Sequence, residues 1–375
     1  MRANPFAALT IALVSAFALG FGGTGHAAAQ QPRVQNGRLT SQPGTNLDAT
    51  FRRLVAAQSD AAWIGYSVPV VSRSEGRLCC SGDTWISDGI VFTNGRIATC
   101  GLEPSTSTRR TSDQPSQMQN PVRLEGPENV LVLYRVEEKA VQRIRIVSPD
   151  CELDAGGKAI TWLDAVSAAE SVKLLATFVS KSEVKSDKLT DGAISAIAMH
   201  RDESADVELE RLGSGGNPEF VRTKVTFWMG NTRGKRGFEA VKKIARTDQS
   251  VEVRKSAMFG LSQSTDAESV PELLRFAKDD VSPTVRGEAL FRLAQKAGQR
   301  VAQEITAAIE NDPDTEVKKK AVFALSQLPK DEGIPLLINV AKTNKNPAVR
   351  KQAMFWLGQS KDPRAIGFFA EVLAK

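Results

Sequence analysis

The stretch "VRKSAMFGLSQ", residues 253–263, decides the fold. Read as a helix, it sets Val253, Ala257 and Leu261 one turn apart, the stripe a helix buries. The same stripe stands in "VKKKAVFALSQ" (317–327) and "VRKQAMFWLGQ" (349–359). A valine followed by a cation recurs every 32 residues, at Val221-Arg222, Val253-Arg254, Val285-Arg286, Val317-Lys318 and Val349-Arg350. Four residues on stand Val225, Ala257, Ala289, Ala321 and Ala353; eight on stand Met229, Leu261, Leu293, Leu325 and Leu357. Asn217-Pro218, Ser282-Pro283 and Asn346-Pro347 open first helices with N-cap and N1 signals, and Asp362-Pro363 opens a second helix likewise. A degenerate unit precedes these, with Ala193 and Ile197 in register and "VELERL" (207–212) as its second helix. Each unit is a helical hairpin that cannot bury its apolar face alone, so the units must stack into a solenoid.

The motif V-R-x-x-A-x-x-x-L-[GS]-Q resembles the HEAT repeats, in the short form of the phycobilisome-lyase-like HEAT family. The resemblance covers residues 187–375 and implies a fold rather than an activity. Deoxyhypusine hydroxylases hold di-iron with His-Glu pairs on such hairpins, and bilin lyases act on a chromophore thioether. The repeats here carry neither a His-Glu pair nor a cysteine, so the resemblance brings neither activity with it. The whole chain also resembles an exported bacterial HEAT-repeat protein of undefined role, through "CC", "CGLE" and "DCELDAGG" in its first half.

Upstream of the repeats the pattern is different. Arg2, an apolar run from Pro5 to Phe21 and small residues ending in Ala27-Ala28-Ala29 have the layout of a secretory signal peptide, residues 1–29. A membrane anchor is the competing reading of that run. No later segment reaches the ~20 apolar residues of a span, so no membrane span is expected once the signal is removed. Residues 30–46 are polar, with Pro and Gly, and are expected to form a flexible leader. Residues 47–164 read as a β-rich domain: a short helix at 47–58, then strands within 62–71, 89–100, 129–136, 141–147 and 159–163. In "VQRIRIV" (141–147) apolar and charged residues alternate, as in a sheet with one face in water. Residues 103–121 are poor in apolar side chains and are expected to be disordered. Helices take over from Ser167, so residues 165–375 are assigned to the solenoid, with clear repeats from 217. The expected fold is α+β and multidomain: an all-α HEAT-like solenoid preceded by a small, disulfide-stapled, β-rich domain.

The four cysteines, Cys79, Cys80, Cys100 and Cys151, all lie in the β-rich region. An even count in an exported chain points to disulfides. A Cys79–Cys80 bond would strain the peptide between them, which leaves each bonded to Cys100 or Cys151. A four-thiolate zinc site is the alternative, and the spacing lacks its paired C-x-x-C knuckles. The formal charge of +6, +5 without Arg2, is spread over interleaved acids and bases, with Lys318-Lys319-Lys320 as the one basic block. Charge and export together argue against nucleic acid.

Catalytic and metal-binding candidates are few. Beyond the signal the one histidine is His200, near a helix end, and "GYSVP" fails the G-x-S-x-G pattern. "GNTRGKR" (230–236) has the wrong glycine spacing for a phosphate loop. Asp150, Glu152 and Asp154 alternate before Gly156 and invite a calcium reading, but the spacing departs from an EF-hand and an acidic turn is the plainer one. No metal and no cofactor is therefore expected. The cations after each valine, with Asp248, Asp280 and Asp312 five residues before three of those valines, suggest a salt-bridge ladder between repeats.

One further position repeats: Phe227, Phe259, Phe291, Phe323 and Phe355. At about 100° per residue each falls near 240°, almost opposite the buried stripe. Lysines, Lys319 among them, and the amides Gln263, Gln295, Gln327 and Gln359 flank the row. Two readings stay open: rings sealed between neighbouring repeats, or an apolar strip with polar edges that receives a partner. The expected function is a non-enzymatic interaction scaffold of the bacterial periplasm or cell envelope, with a protein or peptide partner. The alternatives are an enzyme whose site lies in the β-rich domain, with the solenoid as docking arm, and a binder of an anionic envelope polymer. Oligomeric state is not readable from the sequence.

Overall fold

A computed structural model describes residues 31–71, 99–103, 128–149, 151–182 and 188–374. The signal segment, Cys79, Cys80 and residues 104–121 of the expected loop lie outside these.

Strands β2 (Arg38–Pro43), β3 (Ala62–Pro69), β5 (Asn129–Glu137), β6 (Ala140–Val147) and β8 (Ala159–Asp164) form one sheet, ordered β2-β8-β3-β5-β6. Strand β1 (Val34–Gln35), β7 (Glu152–Asp154) and β4 (Thr99–Gly101) form a small parallel sheet, ordered β1-β7-β4. The expected strands at 62–71, 129–136, 141–147 and 159–163 are present. The flexible leader is not: residues 34–35 and 38–43 are strands, and β2 pairs in parallel with β8 from Arg38 to Pro43. An edge strand is held by backbone hydrogen bonds, so its polar side chains left no apolar signal in the sequence.

The wet face expected of "VQRIRIV" is also covered. Arg145 is buried; its guanidinium lies 6.0 Å from the centre of the Trp63 ring and donates to Gly101 O at 2.7 Å. The small sheet closes this side and brings Leu102, Leu153 and Cys100 onto Trp63, Leu133 and Trp162 as a second core. Glu103, at the start of the expected disordered loop, is held by Arg135 at 3.0 Å and by Trp63 Nε1 at 2.8 Å. Cys100 and Cys151 are buried, and neither is a free thiol.

On its other face the sheet packs against helices. Helix α1 (Leu47–Ala57) buries Leu47 and Phe51, and α2 (Ala168–Ala176) starts at Ser167, whose hydroxyl accepts from Glu170 N–H. Helix α3 (Lys188–Met199) docks on β6 through Gly192, where a Cβ would come within 2.8 Å of Ile144 O. Helix α4 (Glu203–Leu212) completes the degenerate unit, with Ala193 and Ile197 fully buried. Five hairpins follow: α5 (Glu219–Thr232) and α6 (Gly234–Thr247), α7 (Val251–Gln263) and α8 (Ser269–Asp279), α9 (Pro283–Ala297) and α10 (Ala302–Asn311), α11 (Thr315–Ser326) and α12 (Lys330–Thr343), α13 (Pro347–Ser360) and α14 (Pro363–Leu373). The valine, alanine and leucine stripe is buried in every one. A single apolar core runs from Leu47 and Tyr66 on the sheet layer to Phe368 in α14. The described sheet and helical array are therefore one packed body.

First helices α5, α7, α9, α11 and α13 contact one another along the whole array, whereas α6, α8 and α10 barely touch one another. Gly230 and Gly260 set the closest approach: a Cβ on Gly230 would lie 2.3 Å from Gly260 Cα. The first helices therefore form the more closely packed layer, here called the inner side.

Candidate functional site

The linkers between repeats hold the array in register. Arg222, Arg254 and Arg286 each grip the aspartate 26 residues later through two hydrogen bonds, on Asp248, Asp280 and Asp312. Arg254 Nη1 also donates to Asp248 O and Gln249 O, both at 3.1 Å, so one guanidinium ties two linkers. Each carboxylate accepts a linker N–H as well, Ser250, Ser282 and Asp314 in turn. The hydrogen bond from Arg286 to Asp312 holds that guanidinium more firmly protonated than usual. The expected ladder is present, and it is structural. Its fourth rung differs: Lys318 Nζ donates to Glu310 O at 2.7 Å, and Asn344 stands where the aspartate would.

The aromatic row lies on the inner side, and its rings neither sink into the core nor stand free. Phe227 stacks on Phe259 at 5.1 Å between centroids with planes 5° apart; Phe291 stacks on Phe323 at 5.1 Å and 14°. Between these pairs the Arg292 guanidinium lies 4.7 Å from the Phe259 ring and 5.0 Å from that of Phe291. Trp356 packs on Phe323 at 4.8 Å and edge-on against Phe355 at 5.0 Å. Phe259, Phe291 and Phe323 thus each have two such neighbours. Those three and Phe227 are half-buried, and Phe355 is 53% exposed.

Arg292 and Trp356 did not stand out in the sequence, although a signal was there. The residues after the five phenylalanines are Trp228, Gly260, Arg292, Ala324 and Trp356, alternately large and small. Arg292 lies over the ring of Phe259, which Gly260 follows, and Trp356 packs on Phe323, which Ala324 follows. The 32-residue period therefore conceals a two-repeat one on this surface.

Gln263, Gln295, Gln327 and Gln359 are exposed along one margin of the row. Gln295 Oε1 accepts from Arg292 at 3.2 Å, and the Gln263 and Gln327 amides donate to Ser262 and Ser326. Lys319, on the other margin, pairs with Glu316 at 2.8 Å. The basic block divides: Lys318 turns to its linker, Lys319 to Glu316, and Lys320 crosses to Gly287, where a Cβ would meet its Cδ at 2.3 Å.

His200 is buried at the joint between sheet and array. Its Nδ1 faces Ala196 O at 2.7 Å and so carries the proton, which leaves Nε2 to accept from Ser171 Oγ at 2.8 Å. The hydroxyls of Ser171, Tyr66 and Tyr134 then form a one-way chain, at 2.7 and 2.6 Å. Burial lowers the His200 pKa to about 4 and raises that of Tyr66. All four side chains are shut off from solvent, so this Ser–His contact supports packing and meets no substrate. In the 230–236 segment Arg233 binds Asp206 at 2.6 Å and Gly234 opens α6, a turn between helices. Asp154 accepts from Gly156 N–H at 2.9 Å and from Asn36 at 3.2 Å, which closes the acidic turn. Asp150 lies outside the described residues. Among the described residues no three His, Cys, Asp or Glu side chains gather into a metal-binding group, and no helix is long and apolar enough to cross a membrane.

Hairpins stacked in this manner, with an arginine–aspartate rung at three successive linkers, form a HEAT-like solenoid. Residues 302–375 match the HEAT repeats as a family. No curated protein matches the chain. Similar solved structures include human deoxyhypusine hydroxylase in complex with glycerol, at 15% identity over 56% of this chain and 80% of that one, with a TM-score of 0.30. The YibA protein of Escherichia coli is similar at 24% identity over 51% and 71%, with a TM-score of 0.35. The CpcE–CpcF complex of phycocyanin lyase from Nostoc sp. PCC7120 is similar at 14% identity over 53% and 80%, with a TM-score of 0.30. These likenesses concern the helical fold and bring no activity with them.

Proposed function

We propose that the chain is a non-enzymatic interaction scaffold of the bacterial periplasm or cell envelope, which holds a protein partner on the inner side of its solenoid. The observation that carries this reading is the unbroken strip from Phe227 to Phe355, half-open and edged by amides. An apolar strip with a polar margin is the usual anatomy of a partner surface. Export rests on the layout of residues 1–29, and a disulfide staple fits it: Cys100 and Cys151 would bond to Cys79 and Cys80. Burial of the Ser171–His200 contact removes that pair as an accessible group for the alternative of an enzyme in the sheet layer. The divergence of Lys318, Lys319 and Lys320 weakens the alternative of an anionic polymer held by that block.

Crosslinking with mass spectrometry in the native envelope tests the proposal. Protein crosslinks concentrated on α7, α9, α11 and α13, and reduced by Phe259→Ser with Phe323→Ser, are the expected result. Crosslinks confined to the sheet layer would count against it.

A further inference from the structure

The strip's chemistry narrows the kind of partner, given the scaffold reading above. Phe259, Phe291 and Phe323 are half-buried against ring or guanidinium neighbours, and the part of each ring left open is an apolar surface.

Charge on the inner helices points the same way. Helices α9, α11 and α13 contain just two acids, Glu288 and Glu316. Each is already matched on its own helix, by Arg292 at 2.7 Å and by Lys319 at 2.8 Å. Lys320 and Lys351 lie within 4.0 Å of no described carboxylate. The amide row adds a donor and an acceptor per repeat at Gln295, Gln327 and Gln359, suited to a main chain running along the strip.

We infer that the inner surface of the last three repeats receives an extended peptide segment whose acidic side chains alternate with apolar ones. Its apolar side chains lie along the rings, its backbone meets the glutamines, and its carboxylates meet Lys320 and Lys351.

Short fluorescein-labelled peptides alternating Glu with Val, and matched peptides with Gln or Lys replacing Glu, are titrated into the full chain. Polygalacturonate serves as a competing polyanion. The Glu peptide should bind best, and Lys320→Gln with Lys351→Gln should weaken it roughly tenfold while sparing the Gln peptide. Equal binding of the Glu and Gln peptides, both lost in Phe291→Ser with Phe323→Ser, overturns the acidic selectivity and leaves the scaffold reading intact. Displacement by polygalacturonate at matched charge overturns the peptide in favour of a polyanion. Failure of every peptide to bind, with envelope crosslinks absent from the inner face, overturns both readings.

Discussion

The guanidinium of Arg254 holds the carboxylate of Asp280 with two hydrogen bonds, of 3.0 and 3.1 Å, across 26 residues of chain. Their side chains are only 10% and 5% exposed, so removing one strands a buried charge. Arg254→Ala should cost about 3 kcal/mol or more in urea unfolding. The pair Lys318 and Asn344 shows what the fold accepts instead, because Asn344 still accepts Asn346 N–H at 3.0 Å. Arg254→Lys combined with Asp280→Asn should therefore cost less than Arg254→Ala.

The aromatic row should divide by position. Phe259, taken up by Phe227 and Arg292, should lose about 2 kcal/mol as Phe259→Ser. Phe355→Ser, at a ring 53% exposed, should lose less than about 1 kcal/mol. Chemical denaturation of the two variants checks this, and equal losses would show that the row is core throughout.

Acid should weaken the joint between sheet and array. His200 titrates near 4 when folded, against 6.5 in its ordinary state. Below pH 6.5 the unfolded chain takes up a proton that the folded chain refuses, so stability is complete above that pH and falls toward pH 4. The group accounts for about 3 kcal/mol across that window. Protonation would also make Nε2 a donor toward Ser171, reversing the hydroxyl chain and leaving the Tyr134 O–H without its acceptor. Stability measured against pH should be flatter between 4 and 6.5 in His200→Gln.

The close approach of α5 and α7 leaves no room for a methyl group. Gly230→Ala would set a Cβ on the Gly260 backbone and should cost about 1–3 kcal/mol. Gly358, with nothing near its would-be Cβ, should accept alanine without loss. Thermal unfolding of both separates helix–helix packing from helix propensity.

The proposed staple has its own test. Peptide mapping of the exported chain without reductant should find Cys79 and Cys80 each bonded to Cys100 or Cys151. Four alkylatable thiols would remove the staple.

The sequence by itself determined the solenoid, because a period of 32 residues in valine, alanine and leucine repeats a burial pattern that any stacked hairpin must satisfy. It also showed the arginine–aspartate rungs, since residues at one repeat position become neighbours in space. Strand β2 was not legible, because backbone pairing with β8 holds it and apolar side chains do not. Nor was the burial of Arg145, since alternation shows that a strand has two faces but not what covers the second. The wheel placed the phenylalanines opposite the core; only the tertiary structure stacked Phe227 on Phe259 and set Arg292 between Phe259 and Phe291. Those contacts depend on the distance between neighbouring helices, which Gly230 and Gly260 set across the repeat boundary. A helical wheel drawn for one repeat holds no information about its neighbour.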